Sequence, residues 1–152
     1  MPKLTDSVLV EASLAETWDH YFDPRAWGSW VDGFQTAVEA SSGYPDVGAT
    51  LRWRSIPAGR GEVLERVTAH EHRRRHVIEF EDPAMGGELK TTFAIEGTGT
   101  RVEQSLTYRV LDRGLIAGIG SLFFVKAQVR GSMQRTLIAF KHEAEEAATF
   151  SA

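Results

Sequence analysis

From Phe34 to Val110 the apolar residues favour every second position, and from about Ser121 to Ala148 they recur with the period of a helix. That one change of period constrains the fold more than any motif does. The first stretch divides into six strands, Phe34–Ala40, Ala49–Ile56, Glu62–Ala69, Arg74–Glu81, Glu88–Glu96 and Arg101–Val110. Turn material rich in Gly, Pro, Ser and Asp separates them, except at His70–Arg73, where no glycine is present. Links this short join neighbouring antiparallel strands, so the stretch is a meander. The helix that follows would be roughly 40 Å long at 1.5 Å per residue. Its stripe of Leu122, Val129, Met133, Leu137 and Phe140 makes it the one element able to cover a face of such a sheet.

Upstream, Val8 and Val10 end a strand over Lys3–Val10. Ser13-Leu14-Ala15-Glu16 then reads as a capping box, with Leu14, Trp18, Tyr21 and Phe22 at helical spacing behind it. Asp23-Pro24 stops that helix and starts a second, shorter one carrying Trp27 and Trp30. No linker or repeat interrupts the chain, so residues 1–152 are expected to form a single domain of the α+β class. The expectation is a curved, seven-stranded antiparallel sheet around a long C-terminal helix, with two short helices between strands 1 and 2.

This order, with several local features, resembles the START-like (SRPBCC) superfamily and its polyketide cyclase/dehydrase-like branch. The matching stretches are Ser13–Trp18, Pro24-Arg25-Ala26-Trp27-Gly28-Ser29-Trp30, Val47-Gly48-Ala49-Thr50-Leu51-Arg52-Trp53 and Gly97-Thr98-Gly99-Thr100-Arg101-Val102. These are structural glycines and core aromatics, so they speak for fold and not for chemistry. The resemblance implies the helix-grip fold, with a deep apolar cavity between sheet and C-terminal helix and an entrance near the second helix. Members include lipid carriers, hormone receptors, polyketide aromatases and stress proteins, so fold alone does not choose a function.

Composition removes several alternatives. With 17 basic and 21 acidic residues the formal charge is −4, which lacks the general electrostatic footprint of a nucleic-acid binder. The absence of cysteine excludes disulfides, thiolate metal sites and cysteine nucleophiles. No signal-peptide pattern opens the chain, and the apolar run Leu115–Val125 is too short to span a membrane, so a cytoplasmic location is expected. That run could serve as a lid, a homodimer contact or a shallow membrane contact; packing over the open end of the sheet is preferred, with a dimer next. His70, His72 and His76 surround an arginine-rich turn without an acidic partner at metal-site spacing, and are read as a solvated turn. No metal and no cofactor are expected.

Alternation assigns the cavity face. Leu51, Trp53 and Ser55 oppose Arg52 and Arg54; His76, Ile78 and Phe80 oppose Arg75, Glu79 and Glu81. Leu89, Thr91, Phe93 and Ile95 form an inward set, as do Val102, Gln104, Leu106, Tyr108 and Val110. On Glu62–Ala69 the pair Val63 and Val67 would carry Glu65 inward, although the opposite register stays open. A buried carboxyl there could hold a ligand hydroxyl or move a proton. Gln104 and Tyr108 could orient a polar group of a ligand, or satisfy one another. The expected ligand-binding set is therefore Trp30, Trp53, Glu65, Ile78, Phe80, Phe93, Gln104, Leu106, Tyr108, Val129 and Met133. The expected partner is a small apolar molecule such as a lipid, isoprenoid or polyketide. The alternative is a cyclase or dehydratase in which Glu65, Tyr108 or His76 moves protons.

Overall fold

The computed structural model describes residues 1–57, 59–111 and 119–151, without the side chains of 119–121 and 151. In chain order its elements are β1 (Lys3–Val10), α1 (Leu14–Tyr21), α2 (Trp27–Trp30), β2 (Phe34–Ala40), β3 (Thr50–Ser55), β4 (Glu62–Glu71), β5 (Arg75–Glu81), β6 (Met85–Glu96), β7 (Gly99–Val110) and α3 (Ile119–Ser151). The seven strands make one antiparallel sheet in the order β1-β7-β6-β5-β4-β3-β2. β1 and β2 are thus opposite edges, and the chain between them crosses one face of the sheet as α1 and α2. Register shifts in β2 and between Val67 and Ala69 of β4 help to curl the sheet. This is the helix-grip fold that the order of elements implies.

Local chemistry sets the boundaries. The capping box closes as expected: Ser13 Oγ accepts from the Glu16 amide at 3.1 Å, and Glu16 Oε1 accepts from the Ser13 amide at 3.4 Å. The link between β4 and β5 turns without glycine because Arg73 itself adopts a φ of 56°. β6 begins three residues before its expected start. Asp82 Oδ1 accepts from the amides of Ala84 and Met85, which shortens the turn and lets the ladder resume at Met85.

The main core lies where α1, α2 and α3 meet the sheet. Met133, Leu137, Phe140 and Ala144 of α3 are buried against it with Trp18, Trp30, Val63 and Val102. Burying each larger side chain of this kind contributes about 1.5–3 kcal/mol. Two expected core positions are corrected: Ile95 is 72% exposed at the end of the β6–β7 hairpin, and Leu122 is 51% exposed near the start of α3. Both lie past the covered part of the sheet, where amphipathic period no longer reports burial. The backbone of α3 approaches β1, α2 and α1 closely. Between it and the central strands a space is left.

Candidate functional site

That space is a cavity of about 940 Å³, open to solvent at a mouth between α3 and the loops after β3 and β5. Eight of the fifteen aromatic residues line it, three of the four tryptophans among them. Of the expected positions, Trp30, Trp53, Glu65, Ile78 and Phe80 stand on its wall, as do Gln104 and Leu106 of β7 and Val129 and Met133 of α3. Phe93 and Tyr108 do not. Phe93 sits too far along β6 and packs its ring against Trp18 and Tyr21 of α1, at 4.9 and 5.3 Å. Tyr108 shares the face of Gln104 but is covered to 2% exposure, and burial raises the pKa of its phenol.

Glu65 faces inward, which settles the register of β4. Val63 and Val67 are buried on the same face, while Leu64 and Arg66 are exposed. Its Oε2 accepts the indole N–H of Trp53 at 2.7 Å. The side chain is half-buried and stands on the cavity wall. Desolvation therefore raises its pKa, against the opposing Trp53 hydrogen bond and the charge of Arg60. Among the described residues no cation lies within ion-pair distance of it, and its Oε1 accepts no hydrogen bond.

Two rows deeper, the register aligns Gln104, Thr91, His76 and His70 side by side on β7, β6, β5 and β4. Tyr21 caps this polar row: its hydroxyl is 3.0 Å from Thr91 Oγ1 and 3.5 Å from Gln104 Nε2, which donates to it. Burial pushes the Tyr21 phenol up to about 12. Gln104 therefore pairs with Tyr21, and with neither Tyr108 nor Glu65. The histidine turn is also corrected. Arg73 and Arg74 are solvated, but His76 is 3% exposed and its Nδ1 lies 2.9 Å from Nδ1 of His70. Desolvation lowers the His76 pKa to about 3, so one neutral imidazole donates to the other. Trp18 and Phe22 pack against the pair.

Among the wall residues that escaped the sequence reading are Tyr21 as a polar group, Tyr44 and Arg60. Helical spacing put Tyr21 inside but could not say that its hydroxyl would meet Thr91. Tyr44 belongs to the irregular link between β2 and β3, where no period operates; burial raises its pKa, with Glu65 adding to the effect. Arg60 lies in the glycine-containing loop after β3. It donates from Nε to Asp82 Oδ2 at 2.8 Å, and its guanidinium stands 5.6 Å from the Trp53 ring centre and 5.0 Å from that of Phe80. Ser55 Oγ accepts from the Gly61 amide at 2.8 Å and ties the two ends of this loop together. Opposite, Asp32 receives two hydrogen bonds from Arg135 and one from Ser132, which pins the end of α2 to α3.

Comparison with known proteins supports the fold. A protein of Geobacillus kaustophilus has the same fold, with a TM-score of 0.75 at 11% identity over 96% of this chain and 97% of its own. A truncated norcoclaurine synthase from Thalictrum flavum gives 0.66 at 15% identity, covering 92% and 91%. The di-domain aromatase/cyclase BexL of the BE-7585A biosynthetic pathway gives 0.70 at 18% identity, covering 97% of this chain and 50% of that one. No curated protein matches the sequence significantly. The profile of one family, described as polyketide cyclase / dehydrase and lipid transport, matches residues 1–145, and the chain belongs to that family.

Proposed function

We propose that the protein binds and carries a small, largely apolar molecule in the cavity between sheet and α3. The molecule bears a hydrogen-bonding group that meets Glu65. One observation carries this reading: on the mainly apolar wall of a space of about 940 Å³, Glu65 is the carboxyl that, among the described residues, has no cation partner and hydrogen-bonds only to Trp53, whereas Asp32 and Asp82 are paired with arginines. A carboxyl retained at the cost of its desolvation in such a wall is a group kept for a guest. Trp30, Trp53, Ile78, Phe80, Leu106, Val129 and Met133 supply apolar contact; Glu65 and the Tyr21–Gln104 pair orient the polar end. Lipids, isoprenoids and polyketide-like molecules fit this description.

Native mass spectrometry of the purified protein, followed by extraction and identification of bound material, tests the reading. A co-purifying apolar molecule is expected, and Glu65→Ala should reduce its occupancy. A protein that is empty as purified and indifferent to fatty acids, isoprenoids and aromatic polyketides would overturn it.

A second reading is a reaction of the cyclase or dehydratase type in the same cavity. The observation in its favour is that Glu65, Tyr21 and Tyr44 influence one another electrostatically around one space. Such convergence is what proton transfer to a bound substrate requires. The two readings part at Glu65→Gln. An enzyme loses turnover and keeps its binding, whereas a carrier shows only a modest change in affinity.

A further inference from the structure

We propose that the first described turns of α3 dock on an anionic lipid surface and bring the mouth of the cavity against it. Leu122, Phe123 and Phe124 are 51%, 70% and 62% exposed. Successive helical residues point about 100° apart, so these three present an apolar end on several sides of the helix and not a stripe for one neighbour. The end is continuous with the cavity. Phe124 and Val125 are part of its wall, together with Ile56, which is 45% exposed on the facing loop.

Charge selects the occupant. From residue 119 to residue 142 the sequence contains no Asp or Glu but carries Lys126, Arg130, Arg135 and Lys141, in a chain whose net charge is −4. Lys126 and Arg130 are exposed and take part in no ion pair among the described residues. The acidic groups at the mouth are neutralised locally, Asp82 by Arg60 and Asp32 by Arg135. At 1.5 Å per residue, Lys126 lies about 4.5 Å and Arg130 about 10 Å along the helix from Phe123. With the apolar end in the interfacial layer, both flexible cations reach the depth of the headgroups. No helix among the described residues is long and apolar enough to cross a membrane, so the contact is peripheral. A second copy of the chain fits less well, because two copies of this end would bring their cations together with no Asp or Glu between residues 119 and 142 to pair them.

The purpose of the docking rests on the proposed carriage of an apolar ligand, which would then pass between bilayer and cavity without crossing water. The test does not depend on that reading. The full chain is floated with vesicles of phosphatidylcholine, and with vesicles of an equal mixture of phosphatidylcholine and phosphatidylglycerol. It is expected to float with the mixture, to stay behind with the neutral vesicles, and to be released by salt. Each cation near such a surface is worth about fivefold in binding. The charge-reversed double variant Lys126→Glu/Arg130→Glu should therefore lose at least tenfold. Phe123→Ser, at an exposed position that leaves the fold unchanged by circular dichroism, should lose binding as well. Failure to float with either vesicle, or binding indifferent to all three substitutions, would overturn the proposal. So would a dimer on sizing that Phe123→Ser dissolves. A chain that carries a ligand but never floats refutes the docking alone; one that floats but is always empty refutes the carriage alone.

Discussion

Glu65, half-buried on the cavity wall, and the buried His76 are titratable groups whose effects on stability run in opposite directions with pH. Burial raises the Glu65 pKa, so the folded state holds that proton after the unfolded chain has released it. Its contribution to stability therefore falls as pH rises from about 4.5 towards its folded value, and stays low above it. Glu65→Gln keeps an acceptor for the Trp53 indole and removes the titration. The variant should match the parent near pH 4, exceed it increasingly as pH rises towards the folded-state value, and keep a constant margin above it, as thermal unfolding against pH would reveal. A gap that narrows with rising pH would contradict the assignment of Glu65 as a desolvated carboxyl. His76, held neutral down to about 3, does the reverse. Its contribution is intact above about 6.5, the unfolded value, and is lost as pH falls towards 3, because the unfolded chain takes up the proton first. His76→Gln should thus flatten the acid limb of the stability profile between pH 6 and 4. An acid limb as steep in the variant as in the parent would place the lost stability elsewhere.

Among the elements, β6 and β7 carry the tightest constraint. A Cβ at Gly87 would run into the carbonyl oxygen of Thr107 and come within 2.8 Å of Tyr108 Cα, both backbone atoms of the neighbouring strand. Backbone cannot step aside as a side chain can, so Gly87→Ala should destabilise the protein by about 2–4 kcal/mol. Gly43→Ala is the control, since a Cβ there meets nothing within 4 Å. Chemical denaturation of the two variants checks this, and equal stability would mean that β6 and β7 lie further apart than described. The need for glycine at position 87 is not legible in the sequence, where Gly86-Gly87 reads only as turn material. Period, by contrast, was sufficient for the sides of the strands: Trp53, Glu65, Ile78 and Gln104 all point as alternation requires. It failed where the covering layer stops, at Ile95 and Leu122, because alternation reports a face and not what lies over it. It was silent on Tyr44 and Arg60, which reach the cavity from irregular segments. The pairing of His70 with His76 needed the register of β4 against β5, and that register includes a bulge no local pattern announces.

At the scale of the whole molecule, the question is why a chain that packs Phe140 and Leu137 to almost no exposure leaves about 940 Å³ unfilled beside them. Unfilled space forfeits dispersion contacts and leaves apolar wall against water, so a protein selected for stability alone would close it. The fold has a simple route to closure. Leu89 stands on the floor between Glu65 and the polar row of Gln104 and His76, and the cavity keeps its side chain half-buried. Leu89→Trp would extend an indole from the cavity lining into that space. If the cavity exists for a ligand, the substitution should raise the melting temperature by a few degrees and remove the bound molecule from the native mass spectrum. That combination, stability gained as binding is lost, is the mark of a void kept for function. Ligand and indole would be alternatives in the same space, and a saturating ligand should add stability to the parent, about 2.7 kcal/mol at a hundredfold excess over Kd, and nothing to the variant. A Leu89→Trp protein that is less stable and still carries its ligand would show the opposite: the space beside Leu89 is already filled by packing, and the guest lies elsewhere.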